Sequence, residues 1–193
     1  MRILAFCGSL RSGSLNAAAL RSAAELCAQR GWEFDPGLSL GTLPFFNADL
    51  EQNDLPEVVA RLRAGVGAAD RLLISTPEYA HGTSGVLKNA LEWLVGGGEI
   101  AGKPVALMSA SPAATGGNRA QAWLRETLTV MGADVLPEGL RIAQATPKIA
   151  GGRVTDPLTL EAMSVFLEAL TEHGGAGALS LGEWIGGSLD AEG

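Results

Sequence analysis

Three loop segments of this sequence carry residue types able to hold an anion beside a planar ring. The first, Gly8-Ser9-Leu10-Arg11-Ser12-Gly13-Ser14-Leu15-Asn16, stands between a short apolar run and a helical pattern. Its hydroxyls, its Arg and the unpaired N–H groups of a helix start form a phosphate cradle. An anion gains charge-assisted hydrogen bonds there and meets the positive end of a helix dipole. The same residues would also serve as a capping loop with Asn16 as N-cap. The second segment, Thr76-Pro77-Glu78-Tyr79-Ala80-His81-Gly82, carries the only tyrosine of the chain. A lone aromatic at a strand end suits the flank of a planar ring, although Pro-Glu-Tyr also suits a plain turn. The third runs from Ser109 through Ser111 and the Gly116-Gly117 pair to Arg119. Paired glycines let backbone approach a ligand closely, and successive N–H groups can donate to a ring carbonyl.

Other chemistries fit less well. Gly97 to Lys103 has the spacing of a nucleotide-binding P-loop, but Pro104 stands where a hydroxyl is needed and the stretch precedes a strand. Ser84 lies near His81 without the spacing of a nucleophile elbow and reads better as a helix N-cap. With His81 and His173 the only histidines, and Cys7 and Cys27 far apart, no zinc-type cluster follows from spacing, and no metal is expected.

The loops need elements to position them. Apolar runs at Arg2 to Cys7, Arg71 to Ser75 and Pro104 to Ser109 read as buried parallel strands, with further strands near Trp32 to Leu38 and Asp134 to Ile142. Helical patterns lie at Asn16 to Gln29, Pro56 to Ala69, Ser84 to Val95, Asn118 to Met131 and Pro157 to Glu172. Such alternation predicts an α/β fold with a doubly wound, five-stranded parallel sheet in the order 2-1-3-4-5. Ligands of such sheets sit outside the carboxyl ends of the strands, where the three loops are expected. The Ser84 to Val95 helix carries Val86, Leu87, Ala90, Leu91, Trp93 and Leu94, a face wide enough for the core and also for a second subunit.

Length and a hydrophobic content of 47% predict one packed domain over residues 1–173. A Gly-rich tail, 174–193, follows, in which Trp184 and Ile185 are expected to cover a neighbouring surface. A formal net charge of −7 without any basic stripe argues against nucleic acid and anionic membrane as partners. Two unpaired-looking cysteines, no signal-peptide layout and no apolar run of transmembrane length predict a cytoplasmic protein.

In order and spacing the segments at 8–16, 76–79, 85–93 (Gly-Val-Leu-Lys-Asn-Ala-Leu-Glu-Trp) and 116–121 (Gly-Gly-Asn-Arg-Ala-Gln) resemble the NADPH-dependent FMN reductase family, which includes quinone, azo-dye and chromate reductases. The resemblance implies a flavodoxin-like fold with non-covalent FMN, its phosphate on Ser9, Arg11, Ser14 and Asn16. It implies that the Pro77-Glu78-Tyr79 loop embraces the isoalloxazine together with Ser109, Ser111, Gly116 and Gly117, and that Leu15 and Ala80 are also among the cofactor-binding residues. It further implies hydride transfer from NADPH or NADH through the flavin to a small-molecule acceptor such as a quinone or free flavin, with no protein catalytic group. A homodimer or homotetramer is implied, with the helix after the Tyr loop at the interface. The alternative is a non-enzymatic flavin-binding electron carrier or redox sensor. At Ala80 the chain lacks the Asn that the family usually carries after Pro-Glu-Tyr, so an amide is missing from the ring edge or site mouth.

Overall fold

The computed structural model describes residues 1–174, so the tail expected to bring Trp184 and Ile185 onto a neighbouring surface lies outside the described residues. The chain alternates β1 (Arg2–Cys7), α1 (Leu15–Gln29), β2 (Glu33–Asp35), the short α2 (Ala48–Asn53), α3 (Glu57–Ala68), β3 (Arg71–Ser75), α4 (Gly85–Val95), β4 (Pro104–Ala110) and α5 (Asn118–Val130). There follow β5 (Asp134–Val135), β6 (Leu140–Ile142), a small hairpin of β7 (Ile149–Ala150) with β8 (Arg153–Val154), and α6 (Pro157–Glu172).

All pairings in the main sheet are parallel and its order is β2-β1-β3-β4-β5, as the alternation predicts. The period-2 geometry of a strand sends alternate residues to two cores. Leu4, Phe6, Leu72, Ile74, Val105 and Leu107 pack on the side of α3, α4 and α5. Ile3, Ala5, Leu73, Ala106 and Met108 pack on the side of α1 and α6. Since both faces are covered, β1, β3 and β4 read as uninterrupted apolar runs.

Four features differ from the sequence expectation. β2 stops at Asp35, because Pro36 follows and Gly37 adopts φ +66° with the Ala5 carbonyl where a Cβ would sit. The strand expected from Asp134 to Ile142 is split, with β5 pairing the start of β4 and β6 its end. Pro137 has no N–H for the ladder, and the carbonyls of Leu136 and Leu140 bond instead to Arg125 Nη1 (2.6 Å) and Gln121 Nε2 (2.9 Å) of α5. Neither α2, capped by Asn47 accepting from Asp49 N (2.9 Å), nor the β7–β8 hairpin was expected. Both are too short for periodicity to reveal.

Most of the wide apolar face of α4 is consumed within its own chain, since Leu87, Ala90, Leu91, Trp93 and Leu94 are all buried, while Val86 is half-buried. The face is wide because α4 also grips the segment at 44–46. Asn89 Oδ1 accepts from Phe46 N (2.8 Å), Asn89 Nδ2 and Trp93 Nε1 both donate to Pro44 O (2.9 and 2.8 Å), and Phe46 meets Trp93 edge-on. No helix among the described residues is long and apolar enough to cross a membrane.

Asn89→Ala leaves the Phe46 N–H without its acceptor in a half-buried setting. Urea unfolding should show a loss of about 2 kcal/mol, with the secondary structure retained by circular dichroism.

Candidate functional site

β1, β3 and β4 end side by side, and their following loops converge on one recess of about 100 Å³ at the carboxyl edge of the sheet. Nine residues singled out in the sequence line it: Ser9, Arg11, Ser14, Leu15, Asn16, Pro77, Glu78, Tyr79 and Ser111. Ala110 and Pro112 complete the wall, and their only signal in the sequence is that they flank Ser111. Ala80, Ser109, Gly116 and Gly117 do not line the recess, and each has a different task.

The first loop leaves β1 at Gly8, whose N–H continues the ladder to Ser75 O (2.8 Å). A Cβ at Gly8 would stand 3.1 Å from Pro77 Cδ and Ser84 Oγ, so the close approach of first and second loops needs glycine here. Ser14, and not Asn16, caps α1, its Oγ accepting from Ala17 N (3.1 Å). Asn16 is buried and its amide points into the protein. Its Oδ1 accepts from Ala110 N (2.9 Å) and Ser75 Oγ (2.9 Å), while its Nδ2 donates to Ala110 O (3.1 Å). What Asn16 and Leu15 offer the recess is their backbone N–H, which the opening turn of a helix leaves unpaired. No acidic residue occupies that turn, so nothing of the helix's own opposes an anion there. Arg11 is exposed at the rim and is the one cation of the lining.

In the second loop Tyr79 and Gly82 exchange backbone hydrogen bonds (3.0 and 2.9 Å) across a two-residue turn. The central residues Ala80 (φ +48°) and His81 (φ +65°) are both left-handed, a conformation that side-chain-bearing residues other than Asn and Asp resist. The turn leaves the Tyr79 side chain about half exposed above the recess. Asn, the residue usual after Pro-Glu-Tyr in the family resembled, would adopt this φ more readily than Ala80 does.

Glu78 ties the second loop to the third. Its Oε2 accepts from Arg119 N (3.0 Å) and Ala120 N (3.3 Å), at the start of α5, where the N-cap position is Gly117 and supplies no side chain. Arg119 returns across the same gap to His81, Nη1 to Nδ1, at 2.6 Å. Beneath them Ser109 Oγ donates to Gly116 O (2.5 Å) and accepts from Gln121 Nε2 (2.7 Å). Ser109 is thus a buried prop of the third loop, and Gln121 is a support that the sequence reading missed. Gly116 (φ +64°) and Gly117 (φ +85°) need their conformations, and a Cβ at either would press on Arg141 or Ser109 at 3.0 Å. The expectation that both glycine N–H groups face a ring is corrected at Gly116, whose N–H is taken by Ala113 O (3.2 Å).

A groove of about 490 Å³ adjoins the recess, sharing Arg11 and Tyr79 and adding Leu10, Phe45 and Val86. Phe45 is 90% exposed although its neighbours at 44 and 46 are held by α4, so its ring is presented and not packed. Sequence reasoning missed Phe45, because the contacts that place it join segments more than forty residues apart.

Known proteins share this architecture. The family model for NADPH-dependent FMN reductase matches residues 1–147. The chain belongs to that family. An NAD(P)H-dependent FMN reductase of Pseudomonas aeruginosa is 37% identical over 179 residues, covering 88% of this chain and 93% of its own. A quinone reductase of Escherichia coli K12 is 29% identical over 188 residues, covering 96% and 95%. Among solved structures, FerB of Paracoccus denitrificans, a flavoenzyme NAD(P)H:(acceptor) oxidoreductase, superposes with a TM-score of 0.80 at 33% identity, covering 89% of this chain and 95% of FerB. Membership makes the chain an oxidoreductase with a flavodoxin-like fold, FMN as its cofactor and NAD(P)H as its electron donor. It also favours the enzyme over the non-enzymatic carrier.

Two variants test the local physics. Asn16→Leu strips Ala110 and Ser75 of their buried partners and should cost about 3 kcal/mol in urea unfolding. Ala80→Gly relieves a left-handed residue and should raise stability by about 1 kcal/mol at unchanged denaturant slope.

Proposed function

We propose that FMN binds with its phosphate in the recess and its ring over the recess's open side beside Tyr79, and that the adjoining groove admits, in turn, a nicotinamide and a planar apolar acceptor of the quinone class. The observation that carries this reading is the convergence of Arg11, the opening turn of α1 and Tyr79 around one recess at the sheet's carboxyl edge. Bound FMN would supply the redox chemistry, taking a hydride from NAD(P)H and giving it to the acceptor.

The residues present fit that cofactor. Arg11, the hydroxyls of Ser9 and Ser14 and the N–H groups of Leu15 and Asn16 are the donors a phosphate needs, gathered at a helix N-terminus. Pro77, Tyr79, Ala110 and Pro112 offer apolar surface for the ring, and Ser111 a polar contact beside it. Glu78 acts through α5, fixing the second loop to the third, and Ser109, Gly116 and Gly117 hold the third loop in shape. Ala80 shapes the turn that presents Tyr79. Leu10, Phe45 and Val86 give the groove an apolar lining suited to a quinone, the substrate class named for the relative from Escherichia coli.

The same reading makes residues 1–173 one functional domain in the cytoplasm, where the thiols of Cys7 and Cys27 stay reduced, and assembles the chain as a homodimer or homotetramer.

The test is an absorbance titration with FMN followed anaerobically by NADPH. Saturable binding, then prompt bleaching and reoxidation by a benzoquinone, is the expected result. Binding without bleaching would point to an electron carrier, and absence of binding would overturn the site. Arg11→Ala should weaken FMN binding by about 1.5–3 kcal/mol, the value of a charge-assisted hydrogen bond. Unchanged FMN affinity would place the phosphate elsewhere.

A further inference from the structure

Helix α6 is apolar over more of its surface than its own core uses. Thr159, Met163, Phe166, Leu167 and Leu170 form its buried side. A second set, Leu158, Ala162, Val165 and Ala169, is spaced by four, three and four residues, which puts its members together on another face of the helix. Leu158 is 75% and Val165 61% exposed, so the described residues leave that face unpacked. It forms one wall of a groove of about 710 Å³. The other wall is the segment at 136–140, with Leu136, Pro137 and Leu140.

The groove follows an open margin of the sheet. β5 and β6 pair with β4 alone, and folded proteins ordinarily cover such an edge or blunt it with charge. Glu138 and Glu161 are the only charged residues of the lining. Contiguous exposed apolar surface rimmed by charge marks a place where something binds.

The described chain stops at the end of this groove. α6 finishes at Glu172, and His173 Nε2 donates to Asp134 Oδ1 (2.8 Å) at the start of β5. Gly174 follows at φ +80°, where a Cβ would stand 2.7 Å from Pro104 Cγ and 3.2 Å from Asp134 Oδ2. Conformation and close approach both require glycine. The chain is thereby brought to the β5 side of α6, at Asp134, two residues before Leu136 of the groove wall.

We infer that the groove is the docking site of the chain's own C-terminal segment, 175–193, with Leu179, Leu181, Trp184 and Ile185 as the side chains that enter it. From Ala169 to Leu158 is about 16 Å along the helix axis, and residues 179–185 reach about 23 Å when extended. One run therefore covers the groove after the glycine–alanine link at 175–178. Leu179 and Leu181, two residues apart, face the same way along an extended chain. Residues 175–185 carry a single charge, at Glu183, so apolar contact and not ion pairing holds the segment. Its tether sets it beside the groove at an effective concentration on the order of millimolar, an advantage that no separate partner of equal chemistry has.

The test is fluorine NMR of the full chain, saturated with FMN and carrying fluorotryptophan, with the Trp184 line identified by its loss in Trp184→Phe. That line should lie away from its position in the urea-unfolded chain and show little shift between light and heavy water, as a buried indole does. Leu158→Glu and Val165→Glu, about two turns apart on α6, should each return it to the unfolded position with a full solvent shift. Both replaced side chains are exposed, and an acid at 158 suits the first turn of α6. Both variants should therefore keep their FMN and, in sizing chromatography, the oligomeric state of the parent. The docking is overturned if the Trp184 line of the parent already sits at the unfolded position, or if either substitution leaves it unmoved, which would seat the segment elsewhere. A changed oligomeric state would also overturn it, by giving the groove to a second copy of the chain.

Discussion

A single buried amide decides the shape of the carboxyl edge. Asn16 satisfies both the N–H and the carbonyl of Ala110 at the end of β4 and accepts from Ser75 at the end of β3, while belonging to the first turn of α1 that follows β1. Where three parallel strands stop together their last polar groups lose the ladder, and under the loops water is not there to replace it. An amide carries donor and acceptor on two adjacent atoms, so it can donate to the carbonyl and accept from the N–H of a single residue at once. By fixing α1 against the ends of β3 and β4, Asn16 also fixes where the unpaired N–H groups of that helix point. The recess inherits its geometry from this contact.

Further layers build outward from it. Ser109 and Gln121 brace Gly116 from below, Glu78 closes the start of α5 from the neighbouring loop, and the left-handed turn at Ala80 and His81 lifts Tyr79 over the rim. Ser109 and Gln121 are buried and partnered, so they hold one arrangement and not several. The polar atoms left to face the recess are therefore few: the hydroxyls, the first N–H groups of α1 and the guanidinium of Arg11.

The frame was legible in the sequence where burial on both faces made it so. β1 and β3 end where their apolar runs end, and α6 spans the residues its pattern marks, because those signals are local. Asn16 was legible as a residue of the right loop but not in its orientation. Ser14 and Asn16 are both good caps, and only the partners waiting on β3 and β4 decide that Ser14 caps and Asn16 turns inward. The division of the last strand into β5 and β6 could not be read either, since it rests on Arg125 and Gln121 of α5 accommodating the displaced carbonyls around Pro137. Glu78 did leave a trace: a helix preceded by Gly-Gly has no side-chain cap of its own and calls for an acceptor from elsewhere. Phe45 left none, its setting being made by α4 from far along the chain.

The proposed phosphate must bind to a chain of formal net charge −7, and the resolution is distance. Charges separated by more than about 8–10 Å of solvent are largely screened at physiological ionic strength, so the anion responds to what lines the recess. There the only carboxylate is Glu78, and its Oε2 is committed to the N-terminus of α5, where the helix dipole offsets its charge. Against it stand Arg11 and the positive end of α1, whose first turn carries no acid. The local balance is therefore positive while the molecule as a whole is negative. One exposed guanidinium placed at a helix start does here what a basic surface would do less selectively, because its field reaches an anion inside the recess and fades before it can recruit polyanions to the rest of the surface.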